Sequence, residues 1–207
     1  MEKLFHLIGK VDPRYDRIWW AVLEFLFCIM TFEEKIQSLL RDVPDFPKPG
    51  ILFKDITPLL AEPIVRKQVV EAIGHHYQSL GVEAIAAVEA RGFIFGMLIA
   101  QELGVPFIPV RKAGKLPFKK VSEEYSLEYG TALIEMHEDA ITPGCRVLVH
   151  DDLLATGGTA GAAGNMIRRL KGEVIGFSFI INLAFLPGEK KLIQKFGVNP
   201  HYLVSYL

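Results

Sequence analysis

A chain of 207 residues, half of them apolar, can bury a full-sized core and fits a single domain. Its 23 basic and 24 acidic side chains leave a net charge of −1, so the overall charge selects neither a nucleic acid nor an anionic membrane as partner. The two cysteines, Cys28 and Cys145, lie far apart without metal-ligand spacing, which fits two free thiols in a reducing compartment and predicts a cytoplasmic protein.

Residues 1–30 differ from the rest. Ile18 to Met30 is strongly apolar and aromatic, yet it is too short for an ordinary membrane span and contains Glu24, so no stable membrane anchor is expected. Arg14 and Arg17 precede it as in a signal peptide, but no small-residue cleavage site follows. The expectation is an atypical extension arising from a start codon assigned upstream of Met30, with an oligomer contact or peripheral segment as the alternative. Thr31 and Glu34 then form a capping-box pattern for an amphipathic helix to about Leu40. Asp45 to Leu60 carries Pro47, Pro49 and Pro58, which exclude a continuous helix and predict a rigid, extended surface segment. Pro63 to Leu80 reads as a helix, with Pro63 in its first turn and Gly81 just past its end. On it His75 and His76 point apart and lack an acidic partner at ligand spacing, so they receive no role.

Ala84 to Val88 is a buried-strand pattern, followed by Glu89-Ala90-Arg91-Gly92, a helix from Phe93 to Leu103, Gly104 and a strand to Val110. That is one βαβ crossover, and it puts Arg91 on the sheet edge where parallel α/β proteins bind ligands. A planar cation with five donors suits an anion there; an ion pair with Glu89 is the structural alternative. Arg111 to Gly130 carries Arg111, Lys112, Lys115, Lys119 and Lys120, then Glu123, Glu124 and Glu128, too much charge for a buried element. It reads as a long loop acting as a lid that excludes water from a reaction centre.

After a turn at Thr142-Pro143-Gly144 comes the most informative run, Val147 to Ala162. An apolar strand ends at two adjacent carboxylates, Asp151 and Asp152, and Ala155-Thr156-Gly157-Gly158-Thr159 leads into a helical segment from Ala160 to Leu170. A phosphate monoester needs several backbone N–H groups converging at a helix N-terminus, and only small residues let the backbone come that close. The two acids can accept from sugar hydroxyls or hold hydrated Mg²⁺. Together they suit a ribose 5-phosphate. The run is neither a nucleoside-triphosphate loop, which needs Lys before its Ser or Thr, nor a G-x-G-x-x-G fingerprint. His150 reads as a packed histidine rather than a reacting one. Val174 to Ile181 is a further apolar strand ending at Asn182-Leu183-Ala184. Pro187 to Phe196 reads as a short helix, and His201 to Leu207 as a last edge strand. The alternation predicts an α/β fold, a mainly parallel twisted sheet flanked by helices, in one domain over 31–207.

The Val147–Thr159 run resembles the 5-phosphoribosyl-1-pyrophosphate binding motif of the type I phosphoribosyltransferases. Three further stretches are similar, in order, to the adenine phosphoribosyltransferase family: Phe46-Pro47-Lys48-Pro49-Gly50-Ile51 with Phe53 to Pro58, the Arg91-Gly92-Phe93 turn, and Tyr125-Ser126-Leu127-Glu128-Tyr129-Gly130. The resemblance covers essentially 31–207. It implies a type I phosphoribosyltransferase fold with a small N-terminal base-binding hood and a flexible lid, and an Mg²⁺-dependent transfer of the phosphoribosyl group to adenine, giving AMP and pyrophosphate in purine salvage. It also implies a homodimer whose lid residues reach the neighbouring site. By the same resemblance, Leu52 and Lys54 read the purine edge through their backbone, Phe53 stacks on the base and Leu183 is the aliphatic face opposite. Asp151 and Asp152 hold the ribose hydroxyls, while Ala155, Thr156, Gly157, Gly158 and Thr159 hold the 5′-phosphate. Arg91, Arg111, Lys112 and Lys115 neutralise pyrophosphate, and Glu128 is the candidate acid/base, with Tyr129 of the lid beside the reaction centre. Mg²⁺ is held mainly by the substrate, through water to Asp151 and Asp152 if by the protein at all. The family often has an acid where this chain has Asn182. A phosphoribosyltransferase for another purine, or a non-catalytic regulator that binds the sugar pyrophosphate, stays open as an alternative.

Overall fold

The helix that follows Thr31 begins where its capping box dictates. Thr31 Oγ1 accepts from the Glu34 amide at 3.2 Å, and Glu34 Oε2 accepts from the Thr31 amide at 2.7 Å. The computed structural model describes residue 27, residues 29–126 and residues 130–207. Contacts divide it into two compact units, up to Lys67 and from Gln68 onward, a division that falls within a helix. The expected extension over 1–30 lies almost wholly outside the described residues.

In the first unit α1 (Phe32–Ser38) buries Ile36 and stops short of Leu40, because the chain turns into β1 (Arg41–Pro44). β1 pairs antiparallel with β2 (Leu52–Asp55), so part of the expected extended segment is the second arm of a hairpin. The proline-rich connection between them is pinned locally: the Gly50 amide donates to Asp45 Oδ1 at 2.7 Å, and the Phe46–Pro47 peptide is cis. α2 (Thr57–Leu60) and α3 (Pro63–Tyr77) follow, the latter ending in a 3₁₀ turn (Gln78–Leu80) closed by Gly81 at φ +63°.

The second unit holds the sheet. Its strands are β3 (Ala84–Val88), β4 (Phe107–Lys112), β5 (Lys120–Ser126), β6 (Thr131–His137), β7 (Arg146–His150), β8 (Leu153–Leu154), β9 (Glu173–Leu183) and β10 (His201–Tyr206). The order is β10-β9-β7-β3-β4-β6-β5, with β8 beside β9. The five strands from β10 to β4 are parallel, while β6 and β5 add an antiparallel edge. Two central strands, β3 and β7, read as continuous apolar runs because both faces are covered. α5 (Gly158–Arg169) and α6 (Gly188–Phe196) cover one face, where Ala163, Met166, Leu192 and Phe196 meet Ala86, Val149, Phe177 and Phe179. α4 (Gly92–Leu103) and the end of α3 cover the other, on which Tyr77 donates to the Phe177 carbonyl at 3.1 Å. α4 can lie close to β3 only because residue 96 is glycine: a Cβ there would stand 2.5 Å from that of Ala87.

The reading of 111–130 as one long loop is corrected. Residues 120–126 form β5, an edge strand paired with β6. Alternation explains it: Val121 and Tyr125 pack on the core, Glu123 between them pairs with Arg169, and the intervening residues face away. High charge on an edge strand is compatible with pairing and discourages further strand addition. Residues 127–129 lie outside the described residues. β6 itself had no counterpart in the sequence reading.

Candidate functional site

The two acids sit where β7 runs out. Asp151 donates its amide to the Ser178 carbonyl at 3.1 Å, and the Asp152 carbonyl accepts from the Ile180 and Ile181 amides at 3.1 and 3.0 Å, so the sheet itself fixes both backbones. Asp152 is 4% exposed and its Oδ2 stands 2.9 Å from Arg91 Nε. Asp151 Oδ1 accepts from the Asp152 amide at 2.9 Å. Burial, then the neighbouring Asp152 charge, pushes the Asp151 carboxyl well above its ordinary range. Asp152 is pushed up by burial also, with the Arg91 charge opposing. α4 starts against them, and Gly92 is required there: a Cβ would stand 2.8 Å from Asp151 Oδ1 and 3.1 Å from Asp151 Cα.

Arg91 reaches one of these two acids. It pairs with Asp152, while Glu89, considered as its partner from sequence, serves other cations. Glu89 Oε2 accepts from Arg111 Nε and from the Lys112 amide, both at 3.1 Å, and Oε1 pairs with Lys115 Nζ. Burial raises the Glu89 carboxyl, but hydrogen bonds from Lys115 and Arg111 more than offset it and hold it below its ordinary value. The Glu89–Ala90 peptide is cis. Arg111 and Lys115, expected from sequence to meet an anion, are thus anchored to one buried carboxylate at the carboxyl end of β3.

Past the acids, β8 pairs Leu153 with Ile181 and Leu154 with Asn182. The chain then turns through Ala155-Thr156-Gly157 into α5. Gly157 has φ +73°, a left-handed conformation at the helix cap, and a Cβ on it would stand 3.0 Å from the Gly188 carbonyl oxygen. Asp151, Leu153 and residues 154–160 together line a small cavity of about 70 Å³ at the first turn of α5. Ala155, Thr156, Gly157, Gly158 and Thr159 are therefore contiguous with Asp151 around this cavity. Alongside runs a groove of about 640 Å³ lined by Tyr125, Thr156, Gly158, Asn165, Lys191 and Lys195 among others. A further cavity of about 400 Å³, between His75, Gln78 and Glu102, is remote from these carboxylates in the fold.

Leu52, Phe53 and Lys54 fall in the first unit. Phe53 meets Phe46 edge-on at 5.1 Å, Lys54 Nζ donates to Asp42 Oδ1 at 2.6 Å, and Leu52 is 51% exposed. Leu183 ends β9 in the second unit, paired in register with Tyr206 of β10. Glu128 and Tyr129 lie outside the described residues. His150 is packed as expected, fully buried with Nδ1 3.3 Å from Ser178 Oγ. Two residues named from sequence have partners that the sequence reading did not assign. Glu89 gathers the cations, signalled only by an acid at the carboxyl end of a buried strand. Asn182, 1% exposed, donates to Glu189 Oε2 at 3.3 Å and to Ser205 Oγ at 3.4 Å.

Acids at the end of a central parallel strand, a glycine-capped helix beside them and a cluster of anchored cations define a phosphate-handling α/β domain. Residues 56–195 match the family model of the phosphoribosyl transferase domain. An adenine phosphoribosyltransferase of Cytophaga hutchinsonii is 56% identical over 160 residues, 77% of this chain and 88% of that protein. The crystal structure of adenine phosphoribosyltransferase from Rhodothermus marinus superposes with a TM-score of 0.80 at 46% identity, over 84% of this chain and 98% of that one. The Saccharomyces cerevisiae enzyme, complexed with an imino-altritol bisphosphate and adenine, gives 0.78 at 35% identity, over 84% and 98%. The chain belongs to the adenine phosphoribosyltransferase family.

Proposed function

We propose that the chain transfers the 5-phosphoribosyl group from 5-phosphoribosyl-1-pyrophosphate to adenine, giving AMP and pyrophosphate, the reaction of a purine-salvage enzyme. The observation that carries this reading is the junction of Asp151, Asp152 and the Gly157-capped first turn of α5, opposite the Arg91 guanidinium. In the reaction a bond forms from the adenine imidazole nitrogen to the anomeric carbon as the bond to pyrophosphate breaks. Asp151 and Asp152 accept from the ribose hydroxyls, and residues 155–159 offer backbone donors to the 5′-phosphate. Arg91, Arg111, Lys112 and Lys115 meet the charge that grows on pyrophosphate, where preorganised cations act most strongly. Glu89 supports that role by holding Arg111 and Lys115 in place before substrate arrives. Glu128 takes the imidazole proton, Tyr129 lies beside the reaction centre within the lid, and Leu52, Phe53, Lys54 and Leu183 hold the base.

Two adjacent carboxylates, Asp152 buried and Asp151 half-buried, are hard oxygen donors and fit Mg²⁺. Asp151 and Asp152 would reach the ion through water, with the substrate supplying most of its ligands; among the described residues no group of three or more His, Cys, Asp or Glu side chains could hold a metal. When bound, Mg²⁺ adds positive charge to the departing pyrophosphate. We propose further that residues 31–207 act as one phosphoribosyltransferase domain, in the cytoplasm and as a homodimer. Ile94 and Met97, one turn apart on α4 and 41% and 51% exposed, support a second copy as partner. Among the described residues no helix is long and apolar enough to cross a membrane.

Pyrophosphate release with Mg²⁺ and each of adenine, hypoxanthine, guanine, xanthine and uracil tests the activity. Turnover with adenine alone is expected; turnover with another base overturns the substrate, and binding without turnover on any base favours a regulator. A monomer in gel filtration under active conditions removes the dimer.

A further inference from the structure

The loop from Ala155 to Thr159 does not rest on its own helix alone. The turn that opens α6 lies directly against it, backbone on backbone. A Cβ built on Gly188 would stand 2.3 Å from the Ala155 carbonyl oxygen and 2.8 Å from Leu154 Cδ1, and one on Gly157 would stand 3.1 Å from Gly188 Cα. Two glycines therefore face each other across the contact, and the nearest atoms, the Ala155 carbonyl and the Gly188 backbone, are main chain and cannot give way as a side-chain tip could. Besides the bond from the Leu186 amide to the Leu183 carbonyl at 2.9 Å, a buried side-chain amide holds the α6 turn. Asn182 is paired in register with Leu154, the residue that leads into the loop, and its Nδ2 reaches Glu189 in the first turn of α6. One side chain thus ties the strand beneath the loop to the helix that braces it.

Resting on the assignment of residues 155–159 to the 5′-phosphate, we propose that Gly188 and the Asn182–Glu189 hydrogen bond are positioning residues that hold this loop in its phosphate-accepting shape. Neither touches substrate. Their effect is geometric: several N–H donors must converge on one phosphate, and a displacement of about half an ångström in their support weakens them together. Pyrophosphate, met by Arg91 and the Glu89-anchored cations, does not depend on this contact.

The test compares ribose 5-phosphate affinity, by calorimetry, with the KM for pyrophosphate in the reverse reaction, at a pH near 8.5 that keeps acids ionised. Asn182→Asp sets a second carboxylate against Glu189 and is expected to weaken ribose 5-phosphate about tenfold while pyrophosphate KM stays within twofold. Combining it with Glu189→Gln restores the bond with donor and acceptor exchanged, and affinity is expected to return to within about threefold of wild type. Gly188→Ala, with no room beside the Ala155 carbonyl, should lose more. Unchanged ribose 5-phosphate affinity in Asn182→Asp, equal loss for both ligands, or no recovery in the double variant overturns the inference. Thr159→Glu, which sets a carboxylate in the cradle, reports separately on the underlying assignment: if it binds ribose 5-phosphate as wild type does, the phosphate assignment falls and the inference with it. Loss in Thr159→Glu with none in Asn182→Asp overturns the inference alone.

Discussion

His150 gives the sharpest test of the packing beneath the site. It is fully buried on the α4 side of β7, its Nε2 has no hydrogen-bond partner, and Nδ1 meets only Ser178 Oγ at 3.3 Å. Burial drives its pKa down to about 3, with the Ser178 contact opposing. The folded state therefore keeps the ring neutral while an unfolded chain takes up a proton near pH 6.5. Between those values the unfolded state binds more protons, so stability is full above about pH 6.5 and falls as pH falls toward about 3. At about pH 5 an unfolded imidazole is favoured by roughly 33-fold, RT ln 33 or about 2 kcal/mol, and any folded value below about 4 leaves that figure unchanged. The perturbation is His150→Asn, which keeps a short polar group toward Ser178 and cannot titrate. Urea unfolding of both proteins at about pH 7.5 and 5.0 measures it. Wild type is expected to lose about 2 kcal/mol more than the variant over that interval, a large share of a typical 5–15 kcal/mol. Other groups titrate here too: His201, stacked on His76 with ring centroids 3.9 Å apart, is depressed to about 4, and Asp151 and Asp152 act in the opposite sense. They are common to both proteins and cancel in the difference. Equal losses in the two proteins would refute the buried, neutral assignment.

The acids predict the reverse sign. Because the Asp151 carboxyl is held up, the folded state binds its proton more readily than the unfolded chain, and stability is lost as pH rises through that range. Asp151→Asn should therefore raise the ligand-free melting temperature at neutral pH while lowering kcat/KM for 5-phosphoribosyl-1-pyrophosphate by about tenfold to a hundredfold; a lowered melting temperature counts against the charge strain. Glu89→Gln removes the charge that anchors Arg111 and Lys115, and steady-state kinetics should show a KM for pyrophosphate raised about tenfold, with adenine KM little changed. Gly96→Ala forces a methyl onto Ala87 and should lower stability by about 1–3 kcal/mol in urea titration. A neutral result would show that α4 stands farther from β3 than the structure has it.

The elements that could be read from sequence are those whose signal is local. The capping box of Thr31 and Glu34, the left-handed glycines 81 and 104, and the continuous apolar runs of β3 and β7 each carry their instruction within a few residues. β5 and β6 carry no comparable local signal. Their pairing brings Glu123 and Ile134, eleven residues apart, into register, and the alternation in Lys120–Ser126 becomes visible only once Val121 and Tyr125 are known to have a core to pack on. A run of lysines followed by glutamates reads as solvated loop when the partner strand is unknown.

The site divides along the same line. Asp151, Asp152 and the 155–159 loop are neighbours in sequence because strand, acids, turn and helix follow one another, so a single motif disclosed them together. Glu89 and Arg111 are 22 residues apart, and Asn182 reaches both Glu189 and Ser205 from a strand that looks purely apolar. Nothing in a linear pattern says which acid a given cation will choose. Arg91 was weighed against Glu89, two positions away, yet the sheet places Asp152 within 2.9 Å of its Nε and turns Glu89 toward β4 instead. The reason is topological: β3 lies between β7 and β4, so residues following β3 have the acids of one neighbour and the cations of the other within reach. Arg91 and Glu89, of opposite charge, divide those two sides between them: Arg91 meets Asp152 on the side of β7, while Glu89 holds Arg111 and Lys115 on the side of β4.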